Sequence, residues 1–174
     1  MNDFLPQDYE APQGGGYMKL KAGDNKFRIL TKPVIGWVDW KDKVPHRFRM
    51  KNRPEKPFGD QPIKHFWAFL VWNYVDQQIQ ILEITQATIQ KAIQDLSRDE
   101  EWGAPFEYDI KIGKKGEKLD TEYSITPSPK RPLTEDVKKA ALDKPAYLEA
   151  LFENADPWVV TNNSTELAFV GLPF

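Results

Sequence analysis

Two apolar runs and the short polar turn between them constrain the fold more than any other feature of the chain. Residues 65–74 (HFWAFLVWNY) are almost continuously apolar, residues 79–85 (IQILEIT) repeat that character, and Val75-Asp76-Gln77-Gln78 separates them. Runs of this length, rich in β-branched and aromatic residues and bounded by a turn, predict a β-hairpin. Side chains alternate along a strand, so His65, Trp67, Phe69, Val71 and Asn73 share one face while Phe66, Ala68, Leu70, Trp72 and Tyr74 share the other. Both faces look buried. One must fill a core, and alternation alone does not say which.

The flanking segments supply the remaining elements. Residues 17–21 and 26–40 (KFRILTKPVIGWVDW) are β-rich, with a turn at Gly23-Asp24-Asn25 and breaks at Pro33 and Gly36, and predict one long, bent first strand. Residues 41–64 show no apolar period, carry prolines at 45, 54, 57 and 62, and predict a long exposed loop. After the hairpin, Thr85 is placed to cap a helix over 86–98, where Ala87, Ile89, Ala92, Ile93 and Leu96 recur at helical spacing. A second hairpin is expected from residues 106–112 and 119–126 around the tip Gly113–Lys118. Thr134, with Glu135 and Asp136, opens a short helix, and another is expected from Pro145 to about Phe152.

Strand, strand, strand, helix, strand, strand is the order of the OB-fold. The expected architecture is therefore mainly β with flanking helices: a five-stranded OB-fold barrel with its helix between strands 3 and 4. The domain plan is a flexible Pro- and Gly-rich arm over residues 1–16, the barrel over 17–130, and a helical extension and tail over 131–174.

Charge is segregated along this plan. The net charge of −2 would not suggest a polyanion as partner, yet residues 41–65 place eight basic side chains against three acidic ones and residues 111–131 place six against three. Residues 66–110 and 132–174 are acidic in compensation. In an OB-fold the loop between strands 1 and 2 and the loop between strands 4 and 5 flank the ligand, and these are the two basic segments here.

Binding of a single strand needs cations for phosphates and flat rings for bases. The candidate cations are Lys41, Lys43, Arg47, Arg49, Lys51, Arg53, Lys64, Lys114, Lys115 and Lys118. The candidate rings are Trp37, Trp40, Phe48, Trp67, Phe69, Trp72 and Tyr74, with Phe58 interleaved in the basic loop. Trp40 and Phe48 stand out, because a ring in a polar, proline-rich segment has less packing to do.

Other chemistries find less support. The chain has no cysteine and only His46 and His65, which removes disulfides, thiol nucleophiles and most zinc sites, so no metal or cofactor is expected. Asp99-Glu100-Glu101, Glu107 and Asp109 lack a histidine or a paired motif to position a metal or general base, and GKKGEK lacks the spacing of a phosphate loop. An enzyme is not expected. Neither a signal peptide nor a membrane span is legible, and a cytoplasmic location follows as the expectation.

The segments MNDFLPQDYEAP, YMKLKAGDNKFRIL and HFWAFLVWN followed by IQILEITQATIQKAI resemble the single-stranded DNA-binding proteins of tailed phages, over roughly residues 1–130. That resemblance implies an OB-fold and coating of exposed strands during phage replication, recombination and repair in the infected host. It also implies partners among replication and recombination proteins, and a homo-oligomer on DNA. Many members of that class end in an acidic tail. Residues 166–174 carry one acid and are expected to pack on the barrel or on a second subunit. Two other readings share the same barrel: a phage adaptor that binds a protein through its face, and an RNA-binding module separable by a preference for ribose strands.

Overall fold

The structure, a computed structural model, describes residues 16–158, so most of the predicted N-terminal arm and the apolar end of the chain lie outside the described residues. Seven strands form one antiparallel sheet: β1 (Gly23–Ile29), β2 (Val34–Lys41), β3 (Val44–Arg49), β4 (Lys64–Asn73), β5 (Gln78–Ile84), β6 (Ile110–Lys115) and β7 (Glu122–Pro127). Among the described residues two α-helices accompany it, α1 (Ala87–Arg98) and α2 (Glu135–Asp143). The order is β3-β2-β4-β1-β6-β7, with β5 on the other edge of β4. The sheet is open, not a closed barrel.

The expected count of five strands is corrected for two physical reasons. The long first strand divides at residues 30–33, where Pro33 removes a ladder donor, so β1 pairs with the end of β4 and β2 with its beginning. The predicted loop over 41–64 contains β3, which returns along β2 through Asp42-Lys43. That two-residue turn holds both residues at positive φ, 52° and 65°, a conformation that sequences normally announce with Asn-Gly or Asp-Gly. Pro45 is tolerated because β3 lies at the sheet edge. As a result α1 sits between the fifth and sixth strands rather than between the third and fourth.

Smaller shifts have local causes. Thr85 does not cap α1; the N-cap is Gln86 without a side-chain cap, and Gln90 reaches back to the carbonyls of Ile84 and His65. Thr134 does cap α2, its hydroxyl oxygen accepting from the Val137 N–H. The helix expected over 145–152 is a 3-10 helix, Leu148–Glu153. The tip of the second hairpin moves outward, because Gly113, Lys114 and Lys115 belong to β6 and a 3-10 turn at Lys118–Asp120 makes the reversal.

Apolar alternation accounts for two core layers. Phe27, Ile29, Phe69, Val71, Leu82 and Ile84 meet α1 through Ile89 and Ile93 on one side of the sheet. Leu30, Val38, Phe66, Leu70, Ile79 and Ile81 meet Val137, Ala141, Leu148 and Leu151 on the other. Both faces of β4 are therefore buried, and each fully buried large side chain contributes roughly 1.5–3 kcal/mol. Gly36 permits the second layer, since a Cβ there would collide with the Phe48 carbonyl and press on the Phe152 ring at 2.9 Å.

One polar network crosses these layers. Arg28, 1% exposed, donates from Nε to Asp109 Oδ1 at 2.8 Å, from Nη1 to the Phe106 carbonyl at 3.1 Å and from Nη2 to the Arg131 carbonyl at 3.0 Å. Asp109 is fully buried and also accepts from the Tyr74 hydroxyl at 2.8 Å and the Arg131 guanidinium at 2.6 Å. Burial, then the hydrogen bond to Asp109, raises the Tyr74 phenol above its ordinary pKa, which keeps it protonated as a donor.

Removing one member of a buried pair leaves an uncompensated charge. Asp109→Ala is expected to cost about 3–5 kcal/mol, whereas Arg131→Ala, whose side chain is 53% exposed, should cost about 1 kcal/mol or less. Urea denaturation followed by circular dichroism measures both; equal, small losses would contradict the assignment of Arg28–Asp109 as the buried pair.

Candidate nucleic-acid interface

Register along β2, β3 and β4 decides which side chains share a surface. Trp37 lies opposite Phe48 and Asp39 opposite His46 across one edge of β2, while Ile35 lies opposite Trp67 and Trp37 opposite His65 across the other. These residues occupy one face of the hairpin, where the rings pack in two groups, Trp37 with His65 and Phe58 with His46 and Phe48. Trp37 and His65 are 5.2 Å apart, Phe48 and Phe58 6.3 Å, and His46 and Phe58 6.1 Å between centroids. The Arg53 guanidinium stands 4.6 Å over Trp37.

Phe58 comes from the segment that returns toward β4 and is 57% exposed. Its N–H donates to Asp39 Oδ2 at 2.8 Å, which pins the segment beside the hairpin. Between this segment and the hairpin tip lies a cleft of about 610 Å³, lined by Trp40, Lys41, Lys43, Phe58 and Lys64 together with Asp42 and Asp60. Trp40 is 39% exposed. Three ammonium groups and two accessible rings in one cleft form a surface for an anionic chain bearing flat groups.

The structure thus brings together Trp40, Lys41, Lys43 and Lys64, with Trp37, Phe48 and Arg53 on the adjoining face and exposed Lys51 in the 3-10 turn Met50–Asn52. Several other candidates go elsewhere. Phe69, 1% exposed, fills the core and has no free face for a base. Arg47 donates to Glu83 at 2.7 Å, with side chains 10% and 16% exposed, and stacks over Phe66. Arg49 pairs with Glu149 and lies 4.5 Å over Phe152. Alternation turns both arginines away from Phe48, toward the layer formed by the 3-10 helix Leu148–Glu153. Trp72 is half-buried against the second core, and Tyr74 is tied to Asp109. Trp67 is half-buried beside a separate cavity.

The second basic segment stands apart from the first. Lys114 lies opposite Gly23 at the start of the β1–β2 ribbon and donates to the Leu20 carbonyl at 3.4 Å, while Lys43 follows the end of that ribbon. Lys115 and Lys118 are exposed at the far hairpin. Sequence reasoning missed His46, His65 and Asp39 as part of the aromatic face. Their alternation with Trp37 and Phe48 becomes readable only once β3 is recognised as a strand.

No protein-family model matches the chain, and no solved structure matches it. Over 65 residues, 37% of the chain, it is 37% identical to a protein of Escherichia phage T5 described as "Probable ssDNA-binding protein". The matched stretch spans 24% of that protein's length. Among the described residues, no helix is long and apolar enough to cross a membrane.

The hairpin geometry separates structural from presented cations. Arg47→Met leaves Glu83 largely buried without its partner and is expected to cost about 1–3 kcal/mol. Lys43→Gly should instead raise stability by about 1 kcal/mol, because it relieves a left-handed residue that bears a Cβ. Chemical denaturation of the two variants checks this, and a destabilised Lys43→Gly would show that the lysine is required by the turn.

Proposed function

We propose that this chain binds single-stranded DNA without strong sequence preference, as a non-enzymatic coating protein. The observation that carries the reading is the cleft at the β2–β3 tip, where Trp40 and Phe58 stand among Lys41, Lys43 and Lys64. Phosphates would run along the lysines while bases stack on the rings, each stacked base contributing about 1–3 kcal/mol. The description of the phage T5 relative as a probable single-stranded DNA-binding protein supports the same partner. On this reading the protein acts in phage DNA replication, recombination and repair in the cytoplasm of the infected host.

The fold supports the reading in a modified OB form. Taken as one bent strand, β1 with β2 precedes the hairpin β4–β5, then α1, then the hairpin β6–β7; β3 is an insertion that enlarges the first loop. The outer face of β4 and β5, where an OB-fold carries its ligand, is covered here by α2 and the 3-10 helix Leu148–Glu153. Binding therefore moves to the exposed end of the ribbon.

Titration of the intrinsic tryptophan signal with oligo(dT) at low and high salt tests the proposal. Quenching is expected, with affinity that falls as salt rises. Trp40→Ala should cost about 1–3 kcal/mol of binding. Replacing Lys41, Lys43 and Lys64 by Gln should flatten the plot of log affinity against log salt by about 2, at about 0.7 per phosphate contact. No oligonucleotide binding at any salt would overturn the proposal, and salt-insensitive capture of a protein would favour the adaptor reading.

A further inference from the structure

A second cavity opens where the interior face of the sheet passes the last turn of α1. It measures about 420 Å³, within the roughly 300–1,000 Å³ range of small-molecule sites. Trp67 and His65 of β4 line one side, buried Thr31 and exposed Ile35 of β2 also line it, and Ser97 and Arg98 of α1 complete it. We infer that this cavity receives one nucleobase of the bound single strand; the inference rests on the proposed single-strand binding and adds a subsite to it.

Three observations argue for a base. The wall is aromatic and continuous with the hairpin face, because the His65 ring lies 5.2 Å from Trp37, which in turn carries Arg53. A strand stacked along the hairpin therefore meets this cavity next. Beside its apolar side chains the lining carries Thr31, His65, Gln94, Ser97 and Arg98 as polar groups. Thr31, 5% exposed, uses Oγ1 to accept the Leu70 N–H at 3.0 Å, and among the described residues its hydroxyl hydrogen has no acceptor, leaving a donor for a carbonyl or ring nitrogen. Arg98 forms no ion pair among the described residues and stands at the mouth, where the phosphate next to an inserted base would pass. Ile35, 43% exposed at the same mouth, is an apolar side chain that an inserted ring would cover. Such a pocket tolerates any sequence, because every base offers a π-face.

Ser97→Trp tests the inference, since Ser97 is exposed on α1 and belongs neither to the core nor to the hairpin cleft. An indole there would fill the mouth of the cavity. The expected result is an unchanged melting temperature and at least tenfold weaker binding of oligo(dT). An abasic deoxyribose-phosphate oligomer of the same length should bind equally to wild type and variant. Full oligo(dT) affinity in folded Ser97→Trp, or an equal loss for both oligomers, overturns the base pocket while leaving the hairpin interface standing. Failure of the wild type to bind oligo(dT) overturns both. Should Ser97→Trp melt early, Gln94→Trp at the neighbouring rim position is read by the same comparison.

Discussion

The buried pair of Arg28 and Asp109 gathers four segments of the chain into one polar network beneath the sheet's backbone ladders. Arg28 belongs to β1, Asp109 immediately precedes β6, Tyr74 follows β4, and Arg131 lies on the segment that carries the chain from β7 to α2. Two fully desolvated charges repay their hydration only when geometry is good and the remaining hydrogen-bonding capacity is met. Here the guanidinium spends three of its donor positions on a carboxylate and two carbonyls, and the carboxylate spends both oxygens. The pair holds the second hairpin in register with β1. It also draws residue 131 inward, so that α2 and the 3-10 helix are delivered onto the outer face of β4 and β5.

That delivery determines where a ligand can bind. With α1 on one face of β4 and the C-terminal layer on the other, aromatic residues at the centre of the sheet are spent on packing. Among the described residues the exposed rings are Trp40, near the end of β2, and Phe58, on the segment that returns to β4. Alternation on β3 then divides the labour. His46 and Phe48 face the aromatic surface, while Arg47 turns to Glu83 of β5 and Arg49 to Glu149 of the covering 3-10 helix. The lysines at the tip form no ion pair among the described residues and are the cations presented to a polyanion. Lys43 sits at positive φ in a turn that glycine would fit better, the kind of local strain that accompanies a presented functional side chain.

Much of this was legible in the sequence. The hairpin β4–β5, the helix α1, the second hairpin and the Thr134 cap all follow from period and capping chemistry, and the basic character of residues 41–65 follows from counting. What was not legible has a physical explanation. β3 is hidden by Pro45, which only an edge strand tolerates, and by a tight turn without glycine. Trp67, Phe69 and Trp72 share one strand and one composition, yet a cavity wall, the core and the second layer claim them separately. That outcome depends on contacts distant in sequence. Arg47 and Arg49 look identical to the lysines beside them until the acids of β5 and the 3-10 helix are placed.

Photocrosslinking of the full chain to an oligonucleotide containing 5-bromodeoxyuridine, with the adducts located by mass spectrometry, tests binding at the β2–β3 tip. Adducts are expected between residues 37 and 67, foremost at Trp40 and Phe58, and reduced by high salt. Adducts confined to residues 114–118, or to α2 and the 3-10 helix that covers β4 and β5, would contradict binding at the tip.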